Sequence, residues 1–225
     1  MNSKQRAAEH AVQFIKDGMT VGLGTGSTSA FAIDAIGKKV QQGLSIKAVA
    51  SSLRSEEQAQ SLGITLLPFF EVQTIDVYID GADEVNKDLH LIKGGGGALL
   101  REKILAYHSK QFIVITDSSK QVDFLGKFLL PVEIIPFAKE LTIKKLQSLG
   151  CTTRQRMHNN EAYITDNNNF IVDCDFKKIS EVRKLHDSIN AIPGVVENGL
   201  FLNDIVAKVV VGFDNGEVEM REKSA

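Results

Sequence analysis

Apolar residues recur along the chain in two alternating patterns, one typical of helices and one typical of buried strands. Over residues 6–15 they follow helical spacing, and Gly18 provides a natural C-terminal stop. Residues 19–23 are a short apolar run, and further helical and apolar segments follow in alternation. Strands that are apolar throughout and alternate with helices predict a mostly parallel sheet covered on both faces.

A different order of elements is predicted after Lys127. The alternating part comprises helix 6–15, strand 19–23, helix 30–40, strand 46–50, helix 54–62, strands 64–67, 75–79 and 89–92, helix 98–108 and strand 112–116. The later part reads strand 130–135, helix 138–149, strands 152–157 and 170–174, helix 179–189 and strand 195–200. This is the β-α-β-β-α-β order of a ferredoxin-like unit. Because strands 205–211 and 218–220 most simply rejoin the large sheet, we predict an inserted domain over 129–201 and a large domain over 1–128 plus 202–225.

Composition narrows the class of protein. The 225 residues are 43% hydrophobic, so a substantial core is expected. A formal charge of −2 leaves no basic field to attract nucleic acid or a membrane, and any anion site must be local. The two cysteines have no CxxC spacing and the five histidines are scattered, which predicts reduced thiols and no structural metal. No signal peptide or 18-residue apolar run is found, so we expect a soluble cytoplasmic protein.

A glycine-rich loop, residues 22–29 (GLGTGSTS), lies between the first strand and a helix. Its glycines allow close approach to a ligand, and the helix-start N–H groups with the hydroxyls of Thr25, Ser27 and Thr28 can hold a phosphate. A dinucleotide fingerprint is broken because Ser27 stands where its third glycine should be, and a P-loop lysine is missing. On spacing alone, a phosphate cradle and a glycine turn with a Ser/Thr helix cap both remain open.

Two carboxylates follow the apolar strand TIDVYI in the motif DGADE, residues 80–84. Ligands of open parallel sheets lie beyond the carboxyl ends of the strands, which is where Asp80 stands. Asp80 and Asp83 suit acid/base chemistry, a metal or hydroxyl binding, whereas the alternative is a turn in which Asp83 caps the next segment of the chain. A Mg²⁺ site would need a third acidic ligand, which the nearby sequence does not offer.

Four consecutive glycines occur within KGGGGALLREK, residues 93–103. Ordering them costs much conformational entropy, so we expect something to approach that backbone closely. Glu102 lies about one turn into the next helix and can project near the loop, while Lys93 ends the strand. The alternative places Glu102 on the surface between two cations, but the glycine run favours function. Lys120, in TDSSK, would add a charge for phosphate at the same end of the sheet, or is a solvated loop lysine.

Together these segments closely resemble type A ribose-5-phosphate isomerase over essentially the whole chain. The matching stretches are GLGTGSTS, IDGADEVN, LIKGGGGALLREK, TDSSK, LPVEIIPFA and TDNNNFIVD. The resemblance implies a Rossmann-like domain interrupted by a small α+β domain, interconversion of D-ribose 5-phosphate and D-ribulose 5-phosphate in the pentose phosphate pathway, and no metal or organic cofactor. It also implies a homodimer or homotetramer. Leu100 stands where the family often has Thr, and Asn168 where Gly is commoner.

Carried onto matching positions, the resemblance makes Glu102 the base that moves a proton between C1 and C2 through an enediolate. It assigns Asp80, Asp83 and Lys93 to the reacting end, where Lys93 and glycine N–H groups would stabilise the oxyanion. Asp80 is also our candidate for opening the sugar ring. The implied substrate-binding residues are Lys4, Thr25, Gly26, Ser27, Thr28, Asp80, Gly81, Ala82, Asp83, Lys93, Gly94, Gly95, Gly96 and Lys120.

Three other classes of function are alternatives to this one. A non-catalytic sugar-phosphate sensor would keep the phosphate cradle without needing Glu102, and would normally be fused to a DNA-binding module that is not found here. An amino-sugar phosphate deaminase or a lactonase would be expected to place a histidine in the site, but none of the three motifs contains one. A nicotinamide-dependent dehydrogenase is disfavoured by the broken fingerprint.

Overall fold

The computed structural model describes residues 2–222, which form two compact units. The first contains the described residues up to Ala82, Arg101–Gln121 and the described residues from Asn203 onward. The second contains Asp83–Leu100 and Val122–Leu202. The chain therefore passes between the units several times, and the two central sequence motifs are each divided between them.

Helices and strands alternate along most of the described chain. The helices are α1 Ser3–Ala11, α2 Ser27–Gln41, α3 Leu53–Ser61, α4 Leu99–His108, α5 Lys139–Gln147 and α6 Val182–Asn190. The strands are β1 Thr20–Leu23, β2 Lys47–Ala50, β3 Ile75–Gly81, β4 Glu84–Val85, β5 Leu91–Ile92, β6 Ser109–Asp117, β7 Leu130–Ile134, β8 Thr152–Gln155, β9 Met157–His158, β10 Glu161–Ala162, β11 Phe170–Asp175, β12 Val195–Asn198, β13 Leu200–Phe201, β14 Val206–Gly212 and β15 Val218–Glu222. Within residues 2–222, none of the helices has the length and apolarity needed to cross a bilayer.

A six-stranded sheet in the order β15-β14-β6-β3-β1-β2 organises the first unit. Its neighbouring strands run parallel except for the terminal hairpin of β14 and β15. Helices α1 and α2 contribute Ala7, Ala11, Ile33 and Ile36 to its core. The mostly parallel sheet and the return of the tail to it are both confirmed.

Residues 64–67, predicted as a strand, make only one bridge to the sheet. Leu66 pairs with Ala48 in the parallel sense. Pro68 follows immediately and has no N–H to donate, so a longer ladder cannot continue there. The prediction of a full strand at this position was wrong.

Residues 89–92 also differ from the prediction, because they do not join the parallel sheet. Only Leu91 and Ile92 form a strand, and β5 pairs antiparallel with both β4 and β13. A tight turn explains the change: the Asn86 side chain accepts hydrogen bonds from the N–H groups of Asp88 and His90. Leu89 adopts a φ of 62° within that turn. The turn reverses the chain and creates a hairpin.

The second unit is built around a four-stranded sheet in the order β12-β7-β11-β8. All three strand pairs are antiparallel. Helices α5 and α6 add Leu146 and Ile189 to a core that includes Val132, Ile134 and Val172. The predicted β-α-β-β-α-β order is confirmed, with a small hairpin of β9 and β10 inserted between β8 and β11.

The second unit extends beyond the predicted insert, 129–201. It also takes in residues 83–100 and 122–128, because β4 and β5 pair with β13 and because Glu84 binds the chain near Gly126. The buried Glu84 carboxylate accepts the N–H of Gly126 at 2.7 Å and that of Phe128 at 2.5 Å. The predicted domain limits, 1–128 plus 202–225 and 129–201, remain a prediction.

Asn168 replaces the glycine that is commoner in the resembled family without losing the turn. Its φ is 60°, in the left-handed region. Asparagine tolerates this conformation better than most residues, because its short polar side chain bonds locally. The N–H of Asn168 bonds to the carbonyl of Thr165 at 2.9 Å, which closes the turn.

Replacing Glu84 by Ala should destabilise the protein. Two backbone N–H groups would lose their acceptor, at a cost of about 1–3 kcal/mol each. Urea titration should give a free energy of unfolding about 2–5 kcal/mol below the wild type. Glu161→Ala, at an exposed site on β10, is the control and should change it by less than about 0.5 kcal/mol. Equal effects of the two substitutions would contradict the role of Glu84.

Candidate active site

The first unit gathers hydrogen-bond donors around the buried carboxylate of Asp80, on β3. Its Oδ1 accepts the N–H of Thr25 at 2.9 Å and the hydroxyl of Ser29 at 2.8 Å. The N–H of Gly81 donates to the same oxygen at 2.7 Å, and the Tyr78 hydroxyl donates to Oδ2 at 2.5 Å. A buried carboxylate needs such donors to offset its lost hydration. Asp80 thereby joins the loop after β1 and the start of α2 to β3.

Glycines in the loop after β1 are required by this close packing. A β-carbon at Gly22 would lie 2.5 Å from the Tyr78 ring, and one at Gly24 would overlap the Asp80 carboxylate. Gly26 is the N-cap of α2 with φ 109° and ψ 178°, a conformation that favours glycine. The sequence left open a glycine turn followed by a Ser or Thr cap on the helix. No Ser or Thr side chain caps α2.

Residues predicted for the phosphate end lie near the carboxyl ends of the parallel strands. The Lys4 ammonium donates to the Ser27 hydroxyl at 3.2 Å, which joins α1 to the first turn of α2. Thr28 follows in the same turn. Lys120 ends a short 3₁₀ turn, Ser118–Lys120, directly after β6. Since β6 and β3 are parallel neighbours, Lys120 lies at the end of the sheet where the carboxyl end of β3 also lies.

The Thr25 hydroxyl contacts a cluster of serines that is not predicted from the sequence. It lies 2.7 Å from the Ser51 hydroxyl and donates to that of Ser52 at 2.9 Å. Ser55 donates to the carbonyl of Gly24 at 2.7 Å. Ser51 and Ser52 follow β2 directly, so their position at a strand end of the parallel sheet was the available signal.

Glu102 is buried with 2% of its surface exposed, so the alternative that places it on the surface is excluded. Burial raises the pKa of Tyr78 well above its ordinary value, and the negative charges of Asp80 and Glu102 raise it further. Tyr78 also stacks on Phe112 with ring centroids 5.1 Å apart. Tyr78 therefore stays protonated and donates to Asp80 throughout the neutral range. From the hydrophobic pattern Tyr78 is predicted only as part of an apolar strand, although residues 78 and 80 share a strand face.

In the second unit the glycine run is held by the protein's own side chains. Asp83 accepts the N–H of Gly95 at 2.7 Å, so it binds the glycine loop rather than capping the residues next to it. A β-carbon at Gly95 would lie 2.6 Å from that carboxylate, and one at Gly97 would overlap the Tyr163 ring. Gly94 and Gly97 also have φ values of 103° and 83°. The close approach expected at this backbone is thus made by Asp83 and Tyr163.

Lys93 follows β5 and is 2% exposed. Its ammonium lies 5.3 Å from the centroid of the Phe201 ring, and its N–H bonds to the carbonyl of Gly199 at 2.9 Å. An aromatic face attracts a cation and partly offsets the cost of burying it. The structure therefore places a buried lysine side chain beside the glycine loop of this unit.

Each predicted site residue can now be assigned to a unit. The first unit contains Lys4, Thr25, Gly26, Ser27, Thr28, Asp80, Gly81, Ala82, Glu102 and Lys120. The second contains Asp83, Lys93, Gly94, Gly95 and Gly96. In the described part of the chain, no three His, Cys, Asp or Glu side chains are grouped to hold a metal ion.

Solved structures share this fold over nearly the full length. Ribose 5-phosphate isomerase A from Methanocaldococcus jannaschii is 40% identical with a TM-score of 0.92, over 98% of both chains. A D-ribose-5-phosphate isomerase in complex with phospho-erythronic acid is 41% identical with a TM-score of 0.94, over 99% of this chain and 100% of that one. The shared fold and the sequence identity define an enzyme of the isomerase class.

The family follows from the sequence comparison. The family model described as ribose 5-phosphate isomerase A (phosphoriboisomerase A) matches residues 47–216. Ribose-5-phosphate isomerase A of Bacillus mycoides (strain KBAB4) is 52% identical over 217 residues, which cover 96% of this chain and 98% of that protein. The chain belongs to the ribose 5-phosphate isomerase A family, and the resemblance read from its motifs is confirmed.

Tyr78→Phe should change how stability depends on pH. An unfolded tyrosine loses its proton near pH 10, whereas folded Tyr78 keeps it to higher pH. The contribution of Tyr78 to the free energy of unfolding is therefore fully present below about pH 10. It is lost as the pH rises toward the folded pKa, at up to about 1.4 kcal/mol per pH unit. Urea unfolding between about pH 9 and 11 should show a shallower loss for Tyr78→Phe than for wild type.

Tyr107→Phe provides the matched control, because Tyr107 is 73% exposed. The free energy of unfolding of Tyr107→Phe should fall with rising pH in the same way as that of the wild type. Identical curves for Tyr78→Phe and wild type would contradict the raised pKa of Tyr78.

Proposed function

We propose that the chain interconverts D-ribose 5-phosphate and D-ribulose 5-phosphate, in the non-oxidative branch of the pentose phosphate pathway. Family membership supports this proposal, and the observation that carries it is the buried carboxylate of Glu102 in the unit that also contains the Asp80 cluster. The relative solved with phospho-erythronic acid supports a phosphorylated sugar as the ligand. The cytoplasmic location and the homodimer or homotetramer remain predictions.

Glu102 is proposed as the base of the reaction. An aldose becomes a ketose when a proton leaves C2, an enediolate forms, the hydroxyl proton on O2 passes to O1, and a proton is delivered to C1. A carboxylate is suited to both transfers because it can accept the proton and return it. General-base assistance of this kind typically contributes about 10²–10⁴-fold.

Charge that develops on oxygen in the enediolate needs stabilisation. Lys93 is proposed to supply positive charge, which acts strongly where water is excluded. Asp83 is proposed to bind substrate hydroxyls while its carboxylate holds the Gly95 N–H. The backbone of Gly94, Gly95 and Gly96 is proposed to line the reacting end and to supply dipoles.

The phosphate group is proposed to bind at the first turn of α2. Lys4 and Lys120 would add positive charge, and Ser27 and Thr28 would add hydroxyl and N–H donors. Gly26 and Thr25 are proposed to shape this loop, since the Thr25 hydroxyl is bonded to the serine cluster.

Asp80 remains our candidate for opening the sugar ring, and Gly81 and Ala82 are proposed to line the substrate beside it. Tyr78, Thr25, Ser29 and the Gly81 N–H all donate to its oxygens. Any proton that Asp80 gains must replace one of these bonds or use a different lone pair. We therefore propose that Asp80 both positions the loop after β1 and takes part in ring opening.

Direct assay of the reaction tests the proposal. Purified protein treated with EDTA should convert ribose 5-phosphate to ketose, and should leave unphosphorylated ribose essentially unchanged. Ketose can be followed by its colour reaction or by NMR. Failure to turn over ribose 5-phosphate would overturn the proposed function.

Glu102→Gln removes the proposed base while keeping the size of the side chain. The variant should lose at least about 10²-fold in kcat, with KM within about threefold of wild type. Glu57→Gln, an exposed substitution on α3, is the control and should leave both constants unchanged. A Glu102→Gln enzyme with a tenth of the wild-type kcat would refute the role.

Lys120→Ala tests the phosphate end. Loss of one cation that contacts the phosphate should raise KM about tenfold or more, with kcat much less affected. Lys47→Ala is the matched control. Lys47 is exposed at the amino end of β2, which lies at the opposite end of the parallel strands. The assignment fails if KM is the same for Lys120→Ala and the wild type.

A further inference from the structure

Arg156 ties the glycine loop to the sheet of the second unit. One terminal nitrogen of its guanidinium donates to the carbonyl oxygens of Gly94 at 2.8 Å and Gly95 at 3.2 Å. The other terminal nitrogen and Nε donate to the two carboxylate oxygens of Asp173, at 2.5 and 3.1 Å. The side chains of Arg156 and Asp173 are 15% and 7% exposed, so this ion pair is largely shielded from water. A single side chain thus holds two successive carbonyls of the loop.

The pair is built on the sheet face opposite α5 and α6. Side chains alternate along a strand, and Val172 and Cys174 of β11 lie in the core beneath the helices. Asp173 between them therefore points to the other face. Its bidentate pairing fixes the plane of the guanidinium, which a lysine ammonium could not match.

Fixing a carbonyl also fixes the next N–H. Across a trans peptide the two groups point in opposite directions, and no cis peptide occurs among the described residues. With the Gly94 carbonyl bonded to Arg156, the Gly95 N–H faces the other way and bonds to Asp83. With the Gly95 carbonyl bonded to Arg156, the Gly96 N–H is turned away from Arg156 in the same manner.

Glycine has wide conformational freedom, so a run of four would otherwise sample many orientations. Hydrogen bonds from a cation hold the loop, and they also polarise the amides so that their N–H groups become better donors. Preorganised donors stabilise a developing oxyanion because they need not reorient during the reaction.

We propose that Arg156 is a positioning residue, held by Asp173, that orients the Gly96 N–H of the glycine loop toward the oxyanion of the enediolate. This inference rests on the proposed isomerisation. Arg156 acts through the loop and does not itself contact the substrate.

Arg156→Met tests the proposal, with Arg154→Met as the matched control. Arg154 lies two residues earlier, is exposed, and lines the same cavity of about 560 Å³ as Arg156. Arg156→Met should lower kcat by about 10–100-fold, with KM within about threefold of wild type. Arg154→Met should keep both constants within about twofold of wild type.

Inhibition separates positioning from a merely structural role. For Arg156→Met, the inhibition constant of phospho-erythronic acid should rise about tenfold or more, while that of inorganic phosphate should stay within about threefold. A structural role would reduce the folded fraction, measured by thermal unfolding, and would leave kcat per folded molecule and both inhibition constants unchanged.

Arg156→Lys keeps the charge and loses the planar fork, so its kcat should fall between those of wild type and Arg156→Met. Should Arg156→Met not fold, a kcat of Arg156→Lys within about twofold of wild type would overturn the proposal. If wild type forms no ketose, the proposed function itself fails. If wild type is active and folded Arg156→Met has a kcat within about threefold of it, the positioning role alone is overturned.

Discussion

The hydrogen bonds to the buried carboxylate of Asp80 hold together the loop after β1, the start of α2 and strand β3 in the first unit. A carboxylate without water must be surrounded by donors, and here two come from the backbone and two from hydroxyl groups. Bringing them close leaves no room for a β-carbon at Gly24. The glycine-rich loop therefore follows from packing around Asp80, and the start of α2, where we propose that phosphate binds, is placed by the same bonds.

In the second unit other residues pack closely around the backbone of the glycine loop. Asp83 accepts an N–H from the glycine loop, Tyr163 packs against it, and Arg156 binds its carbonyls. The Asp83 and Tyr163 contacts leave no room for a β-carbon at Gly95 and Gly97, and Gly94 has a φ of 103° and lies against Leu99, so glycine at these three positions is explained without any ligand. The glycine run is thus a structural requirement as well as a proposed binding surface, and the two roles agree because a loop fixed in this way presents its amides in defined directions.

The hydrophobic pattern predicted the parallel sheet and the ferredoxin-like order, because both depend on strands and helices long enough to show a period. It could not predict the hairpin of β4 and β5, whose two-residue strands have no period and depend on the Asn86 turn. Acidic residues and glycines at strand ends identified the candidate site. Tyr78 and Arg156 were missed because the first lies within an apolar strand and the second is 62 residues from the carbonyl it binds.

We propose that isomerisation proceeds by proton transfer at carbon through an enediolate. The most direct measurement is to follow ribose 5-phosphate with the wild-type protein and EDTA in ²H₂O, and to determine deuterium in both sugars by NMR. We expect ketose that carries deuterium at C1 and recovered aldose that carries it at C2, since a carboxylate base exchanges its proton with solvent. Ketose formed with no deuterium in either sugar would contradict proton transfer through a base that exchanges with solvent.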